Sequence, residues 1–178
     1  AGSSCMPVPP AIFPWGGGGG YGASGASDST GCSGGSTYGS NTAPTSLGSG
    51  GGNGYMDGTS GAPGGGAIKI DVAGTLTING ASGLGIIRSN GDSNSGASLL
   101  GGGSGGSVYI TANELAGDSD GGITVFGGPG NESSGSSGNW GGGGRIAIYT
   151  AFNNFSGDVD AVIPGFPASI EGDRKSTR

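Results

Sequence analysis

Residues 141–150 read GGGGRIAIYT: a run of four glycines passes without a break into Arg145-Ile146-Ala147-Ile148-Tyr149, where aliphatic side chains alternate with others. Glycine has the weakest structural preference of any residue, whereas alternation at a period of two marks a strand buried on one face. The junction recurs. Residues 64–74 read GGGAIKIDVAG and residues 104–114 read SGGSVYITANE, so the glycine-to-strand step stands at three places roughly 36–40 residues apart.

Superposing the three segments sets Ile68, Val108 and Ile146 at one inward position and Ile70, Ile110 and Ile148 at the next, with Lys69, Tyr109 and Ala147 outward. A shorter segment follows each, centred on Leu76 and Ile78, on Leu115 and on Phe155. A second apolar patch comes next: GIIRSNG (85–91), GITVFGG (122–128) and DVDAVIPG (158–165). Short strands at a fixed period, with no helix-length amphipathic segment, predict an all-β fold in which each unit is one coil of a right-handed parallel β-helix. Stacked coils then align their inward residues in columns. Glycine suits the corners of such a coil, through positive φ, and places where backbones meet closely. The Gly/Ser insertions are expected to stack in part as extended, polyproline-like rods, whose N–H and C=O groups are free to pair with neighbours.

The composition agrees with this frame and excludes others. Glycine fills 48 of 178 positions, while 31% of residues are hydrophobic and 10% charged, which argues against one large layered core. The net charge of −6, with only six Lys and Arg, lacks the basic footprint of phosphate binding, so no nucleic-acid partner is expected. No apolar run is long enough for a membrane span. The opening AGSSCMPVPPAIFPW has no signal-peptide pattern and fits a mature N-terminus. Four regions are expected: a Pro-rich arm (1–15), a Gly-rich cap or lateral segment (16–66), a three-coil β-solenoid (67–165) and a C-terminal extension (166–178).

Taken together, YGSNTAPTSLGSGGG (38–52), GAPGGGAIKIDVAGTLTINGASG (61–83), GGGSGGSVYITANELAG (101–117) and GGGGRIAIY (141–149) resemble the glycine-rich β-solenoid repeats of large secreted or surface-exposed proteins. Such repeats occur in bacterial exoproteins and adhesins and in some protist surface proteins. The resemblance covers about residues 16–165 and implies a parallel β-helical rod, extracellular or on the cell surface, with no catalytic residues to carry over. The chain departs from the pattern in having three coils at most.

The chain has no histidine, which removes Ser-His-Asp triads, Cys-His pairs and His-based metal sites. No enzyme activity and no cofactor are expected. The D-x-D pairs Asp118/Asp120 and Asp158/Asp160 are read first as turn residues beside glycine, with calcium binding, or protonation of a glycosidic oxygen, as the other readings. GYGASG (20–25) satisfies G-x-G-x-x-G without the strand and helix that give the motif meaning. Lys175 and its neighbours in DRKSTR are read as a small solvated basic tail.

Cys5 and Cys32 are the only cysteines and are expected to form a disulfide, the alternatives being free thiols or a bond to another chain. Asn131-Glu132-Ser133 and Asn154-Phe155-Ser156 are N-glycosylation triplets, the second compromised if Phe155 faces inward. Tyr109 and Tyr149 are read as equivalent outward positions, with Trp140 nearby, suited to lateral packing or to stacking sugars.

Two uses of the rod compete. The first is a non-catalytic structural piece of a surface fibre, filament or adhesin. It self-associates through strand edges and through the apolar Val8, Ile12, Phe13 and Trp15 of the arm. The second is a polysaccharide-binding module on the outward faces, with a carbohydrate-cleaving β-helix behind it. Ice binding is disfavoured because the outward positions form no rank of threonines.

Overall fold

The computed structural model describes residues 1–2, 16–27, 32–54, 60–80, 85–94, 100–130 and 139–161, together with the backbone of 173–177. The fold is all-β, with no helix among these residues. Seven strands follow one another among the described residues: β1 (Ala67–Thr77), β2 (Ile86–Arg88), β3 (Ser107–Gly117), β4 (Gly122–Thr124), β5 (Arg145–Phe155), β6 (Asp158–Asp160) and β7 (Asp173–Thr177). They form a four-stranded sheet in the order β1-β3-β5-β7 and a three-stranded sheet in the order β2-β4-β6. Successive strands alternate between the sheets, and every pairing is parallel.

The register places Ile68 beside Val108 and Val108 beside Ile146, and likewise Ile70, Ile110 and Ile148 side by side. A third column, Ile87–Ile123–Val159, runs through the short strands. These columns face one another in a single apolar cluster joined by Ile78, Leu115 and Val125. Val108, Ile110 and Ile123 are wholly removed from water, each contributing about 1.5–3 kcal/mol by burial. Within β3 the buried positions Val108, Ile110, Ala112 and Leu115 are spaced two, two and three. The slip matches an irregularity in the β1–β3 register between Val72 and Thr75, where Ala73 and Gly74 stand against Asn113. This is a β-bulge, and bulges bend the strand that carries them.

The glycine tracts form a second, different lattice. The N–H of Gly101 donates to Gly52, that of Gly102 to Asn139 and that of Gly103 to Asp92. Ser104, Gly105 and Gly106 then repeat the rotation, donating to Ser49, Gly142 and Ser89. The carbonyls rotate similarly: Gly101 accepts from Ala62, Gly102 from Gly19, Gly103 from Gly128, and Ser104 from Gly65. A β-strand has neighbours on two sides only, whereas this tract is bonded to six other segments, and its direction of donation returns every third residue. That is the symmetry of a polyproline-type extension, with three residues per turn and no internal hydrogen bonds. The insertions expected to stack as rods therefore do so around residues 101–106.

At many of its glycines this lattice leaves no room for a side chain. A Cβ built on Gly51 would collide with the Gly101 carbonyl, one on Gly105 with Val125, and one on Gly141 with Gly103. Positive φ, the corner role expected of glycine, occurs among the described glycines only at Gly39 (79°) and Gly117 (155°). Close approach is thus the main reason for glycine here, and corners are a minor one. The same property resolves the junction at residues 141–150. Both halves are extended backbone bonded sideways, the first to many neighbours and the second to two.

Residues 16–26, 32–36 and 48–52 belong to this lattice: 16–26 bond to the tracts that precede β3 and β5, 32–36 to residues 18–25, and 48–52 to the tracts that precede β1 and β3. A strap, residues 38–47, continues from them across the outer face of the long-strand sheet. It is turned by Gly39 and the Ser40 hydroxyl, which accepts from the Ala43 amide at 3.1 Å. At the far edge, β7 pairs with Arg145–Tyr149 of β5. The C-terminal region, read from sequence as a solvated tail beyond the strand-bearing units, therefore supplies an edge strand.

Candidate functional site

The two edges of the long-strand sheet differ. One is β7, whose sequence DRKST carries three charged residues in five. The other is β1, whose outer side accepts no backbone hydrogen bond from any described residue. Its inward residues Ile68, Ile70 and Val72 are only half-buried, although their register partners Val108, Ile110 and Ala112 are buried. The short-strand sheet ends on the same side with Ile86, 37% exposed, and half-buried Ile87. Among the described residues, this end of the stack therefore presents backbone groups without a partner, bordered by aliphatic side chains, the combination that pairs with a further strand.

The outer face above β1 and β3 carries a small polar and aromatic cluster. Lys69 Nζ lies 5.7 Å from the centre of the Tyr109 ring. Tyr149 meets that ring edge-on, with centroids 5.8 Å apart at 81°. The two tyrosines are not equivalent, as the sequence comparison expected: Tyr109 pairs with Ala147, and Tyr149 with Thr111, so they touch diagonally. Both are half-buried, and the Tyr149 hydroxyl donates to the Thr42 carbonyl of the strap at 2.7 Å. Ala147 lies on the outer face as the sequence pattern placed it, beside strap-bound Arg145, and is fully buried there. Lower on the face, Glu114 accepts from Thr75 Oγ1 at 3.0 Å and from Asn154 Nδ2 at 2.7 Å, linking three strands.

The strap is held by residues that sequence reasoning did not single out. Arg145, buried between strand and strap, donates from Nε to the Tyr38 carbonyl at 3.1 Å and from Nη1 to the Asn41 side-chain oxygen. Its guanidinium lies 5.6 Å from the Tyr21 ring centre. The Tyr21 hydroxyl pairs with Ser107 Oγ at 2.6 Å, and Ser107 Oγ also donates to the Ser46 carbonyl at 2.6 Å. One signal was present in the sequence: a charged residue, Arg145, directly before the apolar Ile146-Ala147-Ile148, at the register position of Ser107.

The remaining candidates are placed as follows. Asp118 Oδ1 accepts from the amides of Gly80, Asp120 and Gly121, at 2.9, 3.1 and 3.1 Å, closing the turn before β4. Asp120 is exposed on that turn, while Asp158 and Asp160 sit two apart on β6, flanking core-packed Val159. Among the described residues no three acidic or cysteine side chains gather as a metal site. Cys32 is buried and disulfide-bonded. Phe155 packs against the core, and Asn154 and Ser156 are both hydrogen-bonded, Ser156 to the Gly117 carbonyl. Cys5, Asn131 and the arm residues Val8, Ile12, Phe13 and Trp15 lie outside the described residues. No helix among the described residues is long and apolar enough to cross a membrane.

No protein-family model, no curated protein and no solved structure matches this chain. The chain is an all-β protein in which β1, at one sheet edge, has no outer backbone partner among the described residues.

Proposed function

We propose that the chain is a non-catalytic structural module, a right-handed parallel β-solenoid stiffened by a glycine lattice. It serves outside the cell or on its surface as part of a fibre or adhesin, and associates with itself through its open strand edge. The observation that carries this reading is the threefold rotation of hydrogen bonds from residues 101–106 into six neighbouring segments. It commits the chain's commonest residue to a cross-linked scaffold. A disulfide at Cys32 supports an oxidising compartment. The Tyr109 ring, covered by Lys69 and edged by Tyr149, supports lateral packing over sugar stacking.

Amide hydrogen exchange tests the reading directly. In a scaffold of this kind the amides of residues 101–106 and of Gly141, Gly142 and Gly144 exchange as slowly as those of β3 and β5. Exchange at the rate of an unstructured glycine chain would remove the lattice and the structural role built on it.

A further inference from the structure

We propose that β1 is the association site for a second copy of this chain, the two β1 strands pairing antiparallel about Ile70 to close a two-fold dimer. The inference rests on the reading of the chain as a self-associating scaffold and specifies its geometry. An edge whose N–H and C=O groups have no partner among the described residues takes a strand as occupant, and three features of β1 select another β1.

The first is charge. Pairing about Ile70 sets Lys69 directly opposite Asp71 of the second copy, and Asp71 opposite its Lys69. Both side chains are exposed on the outer face, and opposite charges at facing cross-strand positions stabilise an antiparallel pair. The second is the inward face. The same register sets Ile70 against Ile70 and Ile68 against Val72, continuing the half-buried apolar cluster from one copy into the other. The third is length: the paired stretch, residues 67–73, ends where the bulge at Ala73 and Gly74 interrupts regular register.

The opposite edge does not offer an equal alternative. A head-to-tail stack would set β1 on β7, which covers only residues 145–149 of β5 and has the charged composition that blunts edge pairing. Pairing through β1 uses the same patch on both copies, so it is isologous and stops at two. The exposed Ile86 at the end of the short-strand sheet lies on the same side of the stack and is shielded by the same contact.

The test is a charge exchange read by sedimentation equilibrium of the full chain. Lys69→Asp and Asp71→Lys each set like charges opposite one another twice in the dimer, and each weakens dimerisation by roughly tenfold or more. The double variant restores opposite pairs and with them the dimer. Circular dichroism of all four proteins shows that the fold is kept. A native chain that stays monomeric at high concentration, or dimers indifferent to all three variants, would overturn the pairing. Open-ended polymers would overturn its closure. In any of these cases slow exchange in residues 101–106 would leave the scaffold reading standing, so the two failures are separable.

Discussion

The backbone of Gly103 runs so close to that of Pro63 that a Cβ at position 103 would overlap the Pro63 carbonyl oxygen. The Gly103 amide meanwhile donates to Asp92, and its carbonyl accepts from Gly128. One residue thus touches three other segments through backbone alone. Glycine at such a site is required by space rather than by dihedral freedom.

Substitution separates these two causes. Gly103→Ala is expected to lower stability by about 2–3 kcal/mol or more, since the added carbon meets the Pro63 backbone, which cannot rotate away. Gly74→Ala, where nothing lies within 4 Å of the added carbon, should change stability by less than about 1 kcal/mol. Denaturant titration of both variants gives the comparison, and equal losses would mean that the lattice is not close-packed.

Burial along a single column predicts a gradient. Ile110 is fully enclosed whereas its neighbour Ile70 is half-buried. Ile110→Ala is therefore expected to cost about 2–5 kcal/mol, and Ile70→Ala clearly less in the monomer. Thermal unfolding at low protein concentration measures both.

The strap depends on a planar donor. Lysine cannot reproduce the fork through which Arg145 reaches the Tyr38 carbonyl and Asn41 together. Arg145→Lys should cost about 1.5–3 kcal/mol and open residues 38–47 to limited proteolysis, with the cuts mapped by mass spectrometry.

Cys32→Ser removes the covalent tie. Non-reducing peptide mapping is expected to find Cys32 linked to Cys5, the one other cysteine in the chain. The variant should lose about 3 kcal/mol, the value for closing a loop of this size. An unchanged melting temperature would count against that pairing.

The columns were legible in the sequence because a half-buried strand writes its inward face as every second residue, and Ile68, Val108 and Ile146 needed only a common frame. The bulge in β1 was not legible, since Ala73 and Gly74 break no hydrophobic pattern. Nor was the threefold rotation around residues 101–106, because glycine has no side chain with which to record where its peptide groups point. Tyr109 and Tyr149 were aligned as equals because each follows an aliphatic residue. The register, offset by two, made them diagonal neighbours instead. The strap escaped notice because its anchors, Arg145, Tyr21 and Ser107, are polar and far apart in the chain, and no period connects them.

The glycine lattice also sets how this protein meets cold. Its tracts are joined by hydrogen bonds between peptide groups and remove little hydrocarbon from water, whereas the rise in heat capacity on unfolding comes chiefly from exposed hydrocarbon. The chain should therefore unfold with less than the usual increment of about 12–15 cal/mol/K per residue. Its stability curve is then shallow, and the fold loses little of its strength as the temperature approaches freezing.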